Sequence, residues 1–175
     1  MSESLRIGIE LACTGASAAR ARVAGCELRA LIEAGLAAVE GEAAHLTALD
    51  RATGDGDHGT NLGRAAAAVA AEIDNLSEML PGPALEAIGQ LVLLRTGGAA
   101  GPVMGAFLCA MGKSLSVRRA EGFAAAFGDG VVAARRRGSA DPGDKTVIDV
   151  LAPLAQLLAG SREVEPESVA VAVRL

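Results

Sequence analysis

Residues 50 to 61 read Asp50-Arg-Ala-Thr-Gly-Asp55-Gly-Asp57-His58-Gly-Thr-Asn61, which puts three carboxylates within eight residues, interleaved with glycines. A small loop with that much negative charge calls for a cation, and hard carboxylate oxygens suit magnesium, whose shell phosphate oxygens can complete. Other readings are weaker. Gly54, Gly56 and Gly59 match G-x-G-x-x-G literally, but a dinucleotide site needs a preceding strand and no carboxylates facing the pyrophosphate. An EF-hand starting at Asp55 would need Gly and Glu where Thr60 and Ala66 stand. An Asx-rich turn capping the next helix remains the plain alternative. The magnesium reading accounts for all three aspartates. His58 adjoins them, either beside the bound group or in a helix-end hydrogen bond to its own loop.

Thr96-Gly97-Gly98-Ala99-Ala100-Gly101-Pro102 is the second informative stretch. A glycine loop opening onto a helix with proline in its first turn leaves free backbone N–H groups, and glycine lets a phosphate approach the main chain. Small residues that let helices pack closely would look the same. A P-loop is excluded, because Gly112-Lys113-Ser114 lacks a glycine at position 107, where Phe107 lies in a helical run with no preceding strand.

Helices must position both stretches. Leu31, Ile32, Leu36, Val39, Ala43 and Leu46 recur at helical spacing, and extending that stripe by four lands on Asp50. A carboxylate at the core-facing end of a stripe is costly unless paired, which supports the metal independently. His45 lies off the stripe and reads as a surface residue. A second helix is expected over 60–75, with Leu62, Ala66, Val69 and Ile73 inward. Pro81-Gly82-Pro83 punctuates the chain before a third helix ending near Arg95, and a fourth follows the glycine loop. A fifth, over 117–137, buries Phe123, Phe127 and Val131; Arg135 to Arg137 fill its last turn before a Gly138 stop, a structural account of the basic cluster. Asp144 is the expected N-cap of a sixth helix that Pro153 should kink. Residues 1–20 form an unassigned arm. Residues 161–175 form an irregular tail, with Val169 to Val173 alternating like a strand.

Composition agrees with a single all-helical domain. The 175 residues are 51% hydrophobic but only 2% aromatic, with 22 glycines, so the core must be built from small and aliphatic side chains in closely packed helices. A net charge of −5 and pI near 5.1 argue against a nucleic-acid surface. Cys13, Cys26 and Cys109 lack metal-site spacing and read as buried reduced thiols. The longest uncharged run, Thr96 to Gly112, is interrupted by glycine and proline and is short for a span of ~20 residues. No basic stretch opens the chain as a signal peptide would. A cytoplasmic protein off the membrane is expected.

The stretches LTALDRATGDGDHGTN, TGGAAGPVMG and GSADPGDKTVIDVLAP, in this order, resemble the nucleotide-binding L subunit, or C-terminal domain, of dihydroxyacetone kinases, over residues 25–158. The resemblance implies an antiparallel α-helical barrel of eight helices holding ADP or ATP through two magnesium ions at one rim. It implies Asp50, Asp55 and Asp57 as magnesium ligands, with His58, Gly59, Thr60 and Asn61 beside the phosphates. Ala99 and Ala100 fall at the glycine-loop phosphate positions, Gly138 and Val147 at the adenine side. The family loop usually reads G-G-x-S-G, and Ala100 replaces its serine. The acceptor, a short hydroxyketone, would sit on a separate K subunit, and the phosphoryl donor would be ATP or a phosphotransferase-system protein. The related fatty acid kinase domains typically have Thr in place of His58 and lack the aspartate at position 50. Six recognisable helices imply an incomplete barrel that self-associates or recruits a partner to cover its open side.

Overall fold

The computed structural model describes residues 23–52, 54–118 and 122–160, of which 23–26 and 118 are described by their backbone alone. The expected arm over 1–20 and tail over 161–175 lie outside these residues. Among the described residues every regular element is a helix. They are α1 (Val23–Asp50), α2 (His58–Ala71), α3 (Ile73–Ser77), α4 (Pro81–Arg95), α5 (Ala100–Arg118), α6 (Phe123–Gly138) and α7 (Ile148–Gly160).

The expected second helix is broken in two, giving seven elements instead of six. The Glu72 N–H turns back to Val69 O at 3.1 Å, tightening the chain before α3 starts. α4 begins earlier than the prolines suggested, because Pro81 occupies its first turn, where a missing N–H costs nothing. α5 extends to Arg118 and takes Val117 with it, so the next helix starts at Phe123. Its buried face is Ala126, Gly130, Val131 and Ala134, with Phe123 and Phe127 half-buried at its edge. The left-handed C-cap of α6 is Ser139, φ 49°, not Gly138. Asp144 does not cap α7; its carboxylate accepts the Asp141 N–H at 2.8 Å. Asp149 instead ties down the α7 entry, accepting N–H groups from Gly143 at 2.6 Å and Thr146 at 2.8 Å.

Short connections between helices packed in chain order give an antiparallel barrel arrangement, α1 on α2, α2 on α4, α4 on α5, α5 on α6 and α6 on α7. Two apolar clusters hold it together. Leu28, Ile32, Val69, Leu76 and Ala84 join α1 to α4, and Phe107, Met111, Ala126, Val131, Ala134, Ile148 and Leu151 join α5 to α7. Phe107 meets Phe127 edge-on, with ring centroids 5.1 Å apart. Between the clusters lies an apolar cavity of about 290 Å³, lined by Leu36, Leu62, Ala66, Ile88, Val92 and Met104 among others.

Small residues also let α4 and α5 pack closely. A Cβ added to Gly105 would come 2.9 Å from Gly89 O, and one added to Gly112 would come 2.6 Å from Gly82 O. The 18 residues Ala100–Val117 have the length and hydropathy of a membrane span, but these glycine contacts seat α5 on α4, and α6 packs on it as well. Cys109 is a free, half-buried thiol whose Sγ lies 3.5 Å from Glu86 O. Burial, and secondarily the Glu86 carboxylate, push its pKa up, which favours the protonated thiol.

Candidate metal and anion site

The α1 stripe ends as its periodicity predicts, with Asp50 half-buried in the last turn. The chain then doubles back through a tight loop. The Gly54 N–H donates to Asp50 O at 2.6 Å, and a Cβ on Gly54 would lie 2.6 Å from Asp50 Oδ1. Gly56 has φ +73°, a conformation that glycine adopts at little cost. This return brings one carboxylate oxygen from each of Asp50, Asp55 and Asp57 to within 4.8 Å of the others. Cis oxygens around a six-coordinate magnesium with bonds of about 2.1 Å stand roughly 3 Å apart and trans oxygens roughly 4 Å. Three carboxylate oxygens gathered this closely are hard donors that could converge on one small cation with modest side-chain adjustment.

Asp50 has a second task. Its Oδ2 accepts the N–H groups of Asp57 at 2.9 Å and His58 at 3.2 Å, satisfying two of the free donors at the start of α2. Its position on the core-facing stripe is thus paired without any metal, and that independent support for an ion weakens. Asp57 gains what Asp50 loses. It holds the N-cap position of α2 but makes no side-chain capping bond, so the capping-turn alternative does not account for its carboxylate. His58 joins the helix start through its main-chain N–H, and His45 is exposed.

Gly59 is buried against α1, and a Cβ there would come 1.9 Å from Ala43 O and 2.4 Å from Thr47 Oγ1. Thr60 is exposed on the same turn and Asn61 is buried, at 2% exposure. Asn61 carries the site across to the glycine loop. A Cβ on Gly97 would lie 2.6 Å from Asn61 Oδ1 and 3.1 Å from its Nδ2, while Gly98, φ +67°, has only Asn61 Nδ2 within 4 Å, at 3.8 Å. The close-packing alternative holds for part of this loop. Gly97 and Gly101 are packed, whereas Gly98 has a backbone turn to make and open space beside it. Ala99 is exposed and Ala100 opens α5, so the starts of α2 and α5 meet at one rim.

Gly138 ends α6 against the first turn of α5, where its Cβ position lies 3.2 Å from Val103 Cγ2. Val147, 39% exposed, immediately precedes α7. Arg135 pairs with Asp141, and beside them an open hollow of about 490 Å³ is lined by Val132, Arg136, Ser139 and Ala140. That hollow is lined by none of Asp50, Asp55 and Asp57. Sequence reasoning missed Asp149 and Thr96. Asp149 signals itself only through its place in Asp144-Lys-Thr-Val-Ile-Asp149. Thr96 signals itself only as the hydroxyl before the paired glycines.

Residues 52–174 match the DAK2 domain. The chain belongs to the DAK2 domain family. Among relatives of this DAK2 domain, the ADP-binding subunit DhaL of the PEP-dependent dihydroxyacetone kinase of Escherichia coli (strain K12) is 35% identical over 125 residues, 70% of this chain and 60% of that protein. The corresponding subunit of dihydroxyacetone kinase 2 from Listeria innocua is 35% identical over 127 residues, 70% of this chain and 59% of its own length. The matched part of the DAK2 chain thus spans about 60% of these relatives. Human triokinase/FMN cyclase is 38% identical over 109 residues, 61% of this chain and 19% of that protein. The crystal structure of the native dihydroxyacetone kinase of C. freundii superposes with a TM-score of 0.73 at 27% identity, covering 92% of this chain and 30% of that one. The helical barrel is therefore the family fold.

Proposed function

We propose that this chain is the nucleotide-binding subunit of a dihydroxyacetone-type kinase, presenting ADP or ATP with magnesium at the rim where α2 and α5 begin. The observation that carries this is the cluster of three carboxylate oxygens within 4.8 Å, beside a helix start whose N-cap aspartate is not engaged in capping. Bound magnesium would join the carboxylates to the phosphates and neutralise charge on the transferring phosphoryl group. Asp55 and Asp57 act as ligands, and Asp50 offers Oδ1 while its Oδ2 holds the start of α2. Two ions are the number that the resemblance to dihydroxyacetone kinase L subunits implies.

His58, Gly59, Thr60 and Asn61 put main-chain and side-chain donors beside the phosphates, and Ala99 and Ala100 add the N–H groups at the start of α5. Gly138 and Val147 face the base. Transfer is then a matter of positioning and charge neutralisation, and this chain supplies no nucleophile. The relatives named as ADP-binding subunits support a division of labour in which a separate K subunit carries the short hydroxyketone. The phosphoryl donor is either ATP or a phosphotransferase-system protein, and the setting is cytoplasmic. The test is phosphoryl transfer to dihydroxyacetone with purified chain, magnesium, ATP or a phosphotransferase-system donor, and an added K subunit. Product that depends on both proteins supports the reading. Magnesium-dependent nucleotide binding without transfer from either donor favours a nucleotide-sensing regulatory domain, for which the Ala100 replacement speaks.

A further inference from the structure

Two buried side-chain atoms have no hydrogen-bond partner among the described residues, Asn61 Oδ1 and Thr96 Oγ1. They belong to residues only 2% and 7% exposed, where an unpaired polar atom is costly. They also flank the same backbone. Thr96 immediately precedes Gly97, whose Cβ position lies 2.6 Å from Asn61 Oδ1, and the Thr96 side chain leans on the first turn of α5, its Cβ 2.9 Å from the Cβ position of Gly101. The two atoms are chemically complementary, since a carbonyl oxygen can only accept and a hydroxyl can donate.

We infer that Thr96 is a positioning residue for the anion site, its hydroxyl donating to Asn61 Oδ1 and thereby fixing which way the Asn61 amide faces. A side-chain amide has two orientations of nearly equal shape. With Oδ1 held on the Thr96 side, Nδ2 faces Gly98, the open and left-handed point of the loop, and presents two donors to an anion at the start of α5. The flipped amide would turn oxygen lone pairs toward that anion and repel it. Thr96 never touches the ligand; it selects the face that Asn61 shows. This rests on the nucleotide-phosphate reading proposed above and deepens it.

The test compares magnesium–ADP affinity by titration calorimetry in the wild type, Thr96→Ser, Thr96→Val and Thr96→Ala. Serine keeps the donor and should bind within about twofold of wild type, whereas valine and alanine should each lose about five- to tenfold, the worth of one ordinary hydrogen bond. Alanine stands in should valine disturb the packing. The Asn61 side-chain amide signals in a ¹⁵N spectrum should shift in the valine and alanine variants without nucleotide and stay in place in the serine variant. Equal affinity in all four proteins overturns the role of Thr96 while leaving the phosphate site standing. Equal losses in serine and valine mark a packing role and overturn it too. A wild type that binds no magnesium–ADP overturns the phosphate site and the role built on it.

Discussion

Asp50 and Asp57 divide the start of α2 between them: Asp57 occupies the N-cap position without a capping bond, and Asp50, seven residues earlier, accepts its N–H at 2.9 Å. The residue placed to cap the helix thereby keeps its carboxylate out of capping, as the proposed cation site requires. The residue at the end of the preceding helix does the capping.

This division predicts different phenotypes for neighbouring carboxylates. Asp55→Ala and Asp57→Ala should remove magnesium–ADP binding with little change in thermal midpoint. Asp50→Ala should remove binding and also destabilise the fold by about 1–3 kcal/mol, because two partly buried N–H groups lose their acceptor. Circular dichroism melts beside calorimetric titrations check this, and equal melting temperatures for the three variants would contradict the capping role.

Gly59→Ala should be among the most damaging single-methyl changes. Its Cβ would meet Ala43 O at 1.9 Å, backbone that cannot yield without lifting α2 off α1. Overpacking of this kind costs about 1–3 kcal/mol or more, and the displaced helix start would scatter the carboxylates. The urea midpoint should fall and nucleotide binding should fail, whereas Gly63→Ala, with nothing within 4 Å of its Cβ position, should leave both intact.

Much of this was legible in the sequence, for definable reasons. The α1 stripe is long and periodic, so it located Asp50 at the helix end, and the aspartate loop is local enough for spacing alone to bring its three carboxylates together. The break at Glu72 was not legible, because the alanine-rich run before it carries no glycine or proline to mark a stop. Asp50 capping α2, Asp149 gripping the α7 entry and Thr96 losing its solvent depend on how the chain returns on itself. No short window contains that information.

Restoring a hydroxyl should tighten phosphate binding. Ala100 opens α5, and Ala100→Ser places a donor at a helix start, where a charge-assisted bond is worth about 1.5–3 kcal/mol at best, less what water already supplied. Magnesium–ADP affinity up to about tenfold higher is expected. Affinity equal to or weaker than wild type would mean that the loop serves another purpose.

The α7 entry should respond to acid through Asp149. Hydrogen bonds from Gly143, then Thr146, hold its pKa below the usual carboxylate value. A depressed folded-state pKa contributes stability that is complete above the unfolded value near 4 and is lost as pH falls through the lower folded value. Asp149→Asn should therefore melt below wild type at pH 7, with the gap closing as pH falls below about 4. A gap independent of pH would show that the charge is irrelevant there.

The most direct test of the central claim is calorimetric titration of ADP into this chain with magnesium and then with excess chelator, repeated for Asp55→Ala and Asp57→Ala. Binding that requires magnesium and disappears in both variants, with helicity retained, is the predicted result. Unchanged ADP affinity in chelator, or in either variant, would contradict the assignment of the carboxylate cluster as the magnesium–nucleotide site.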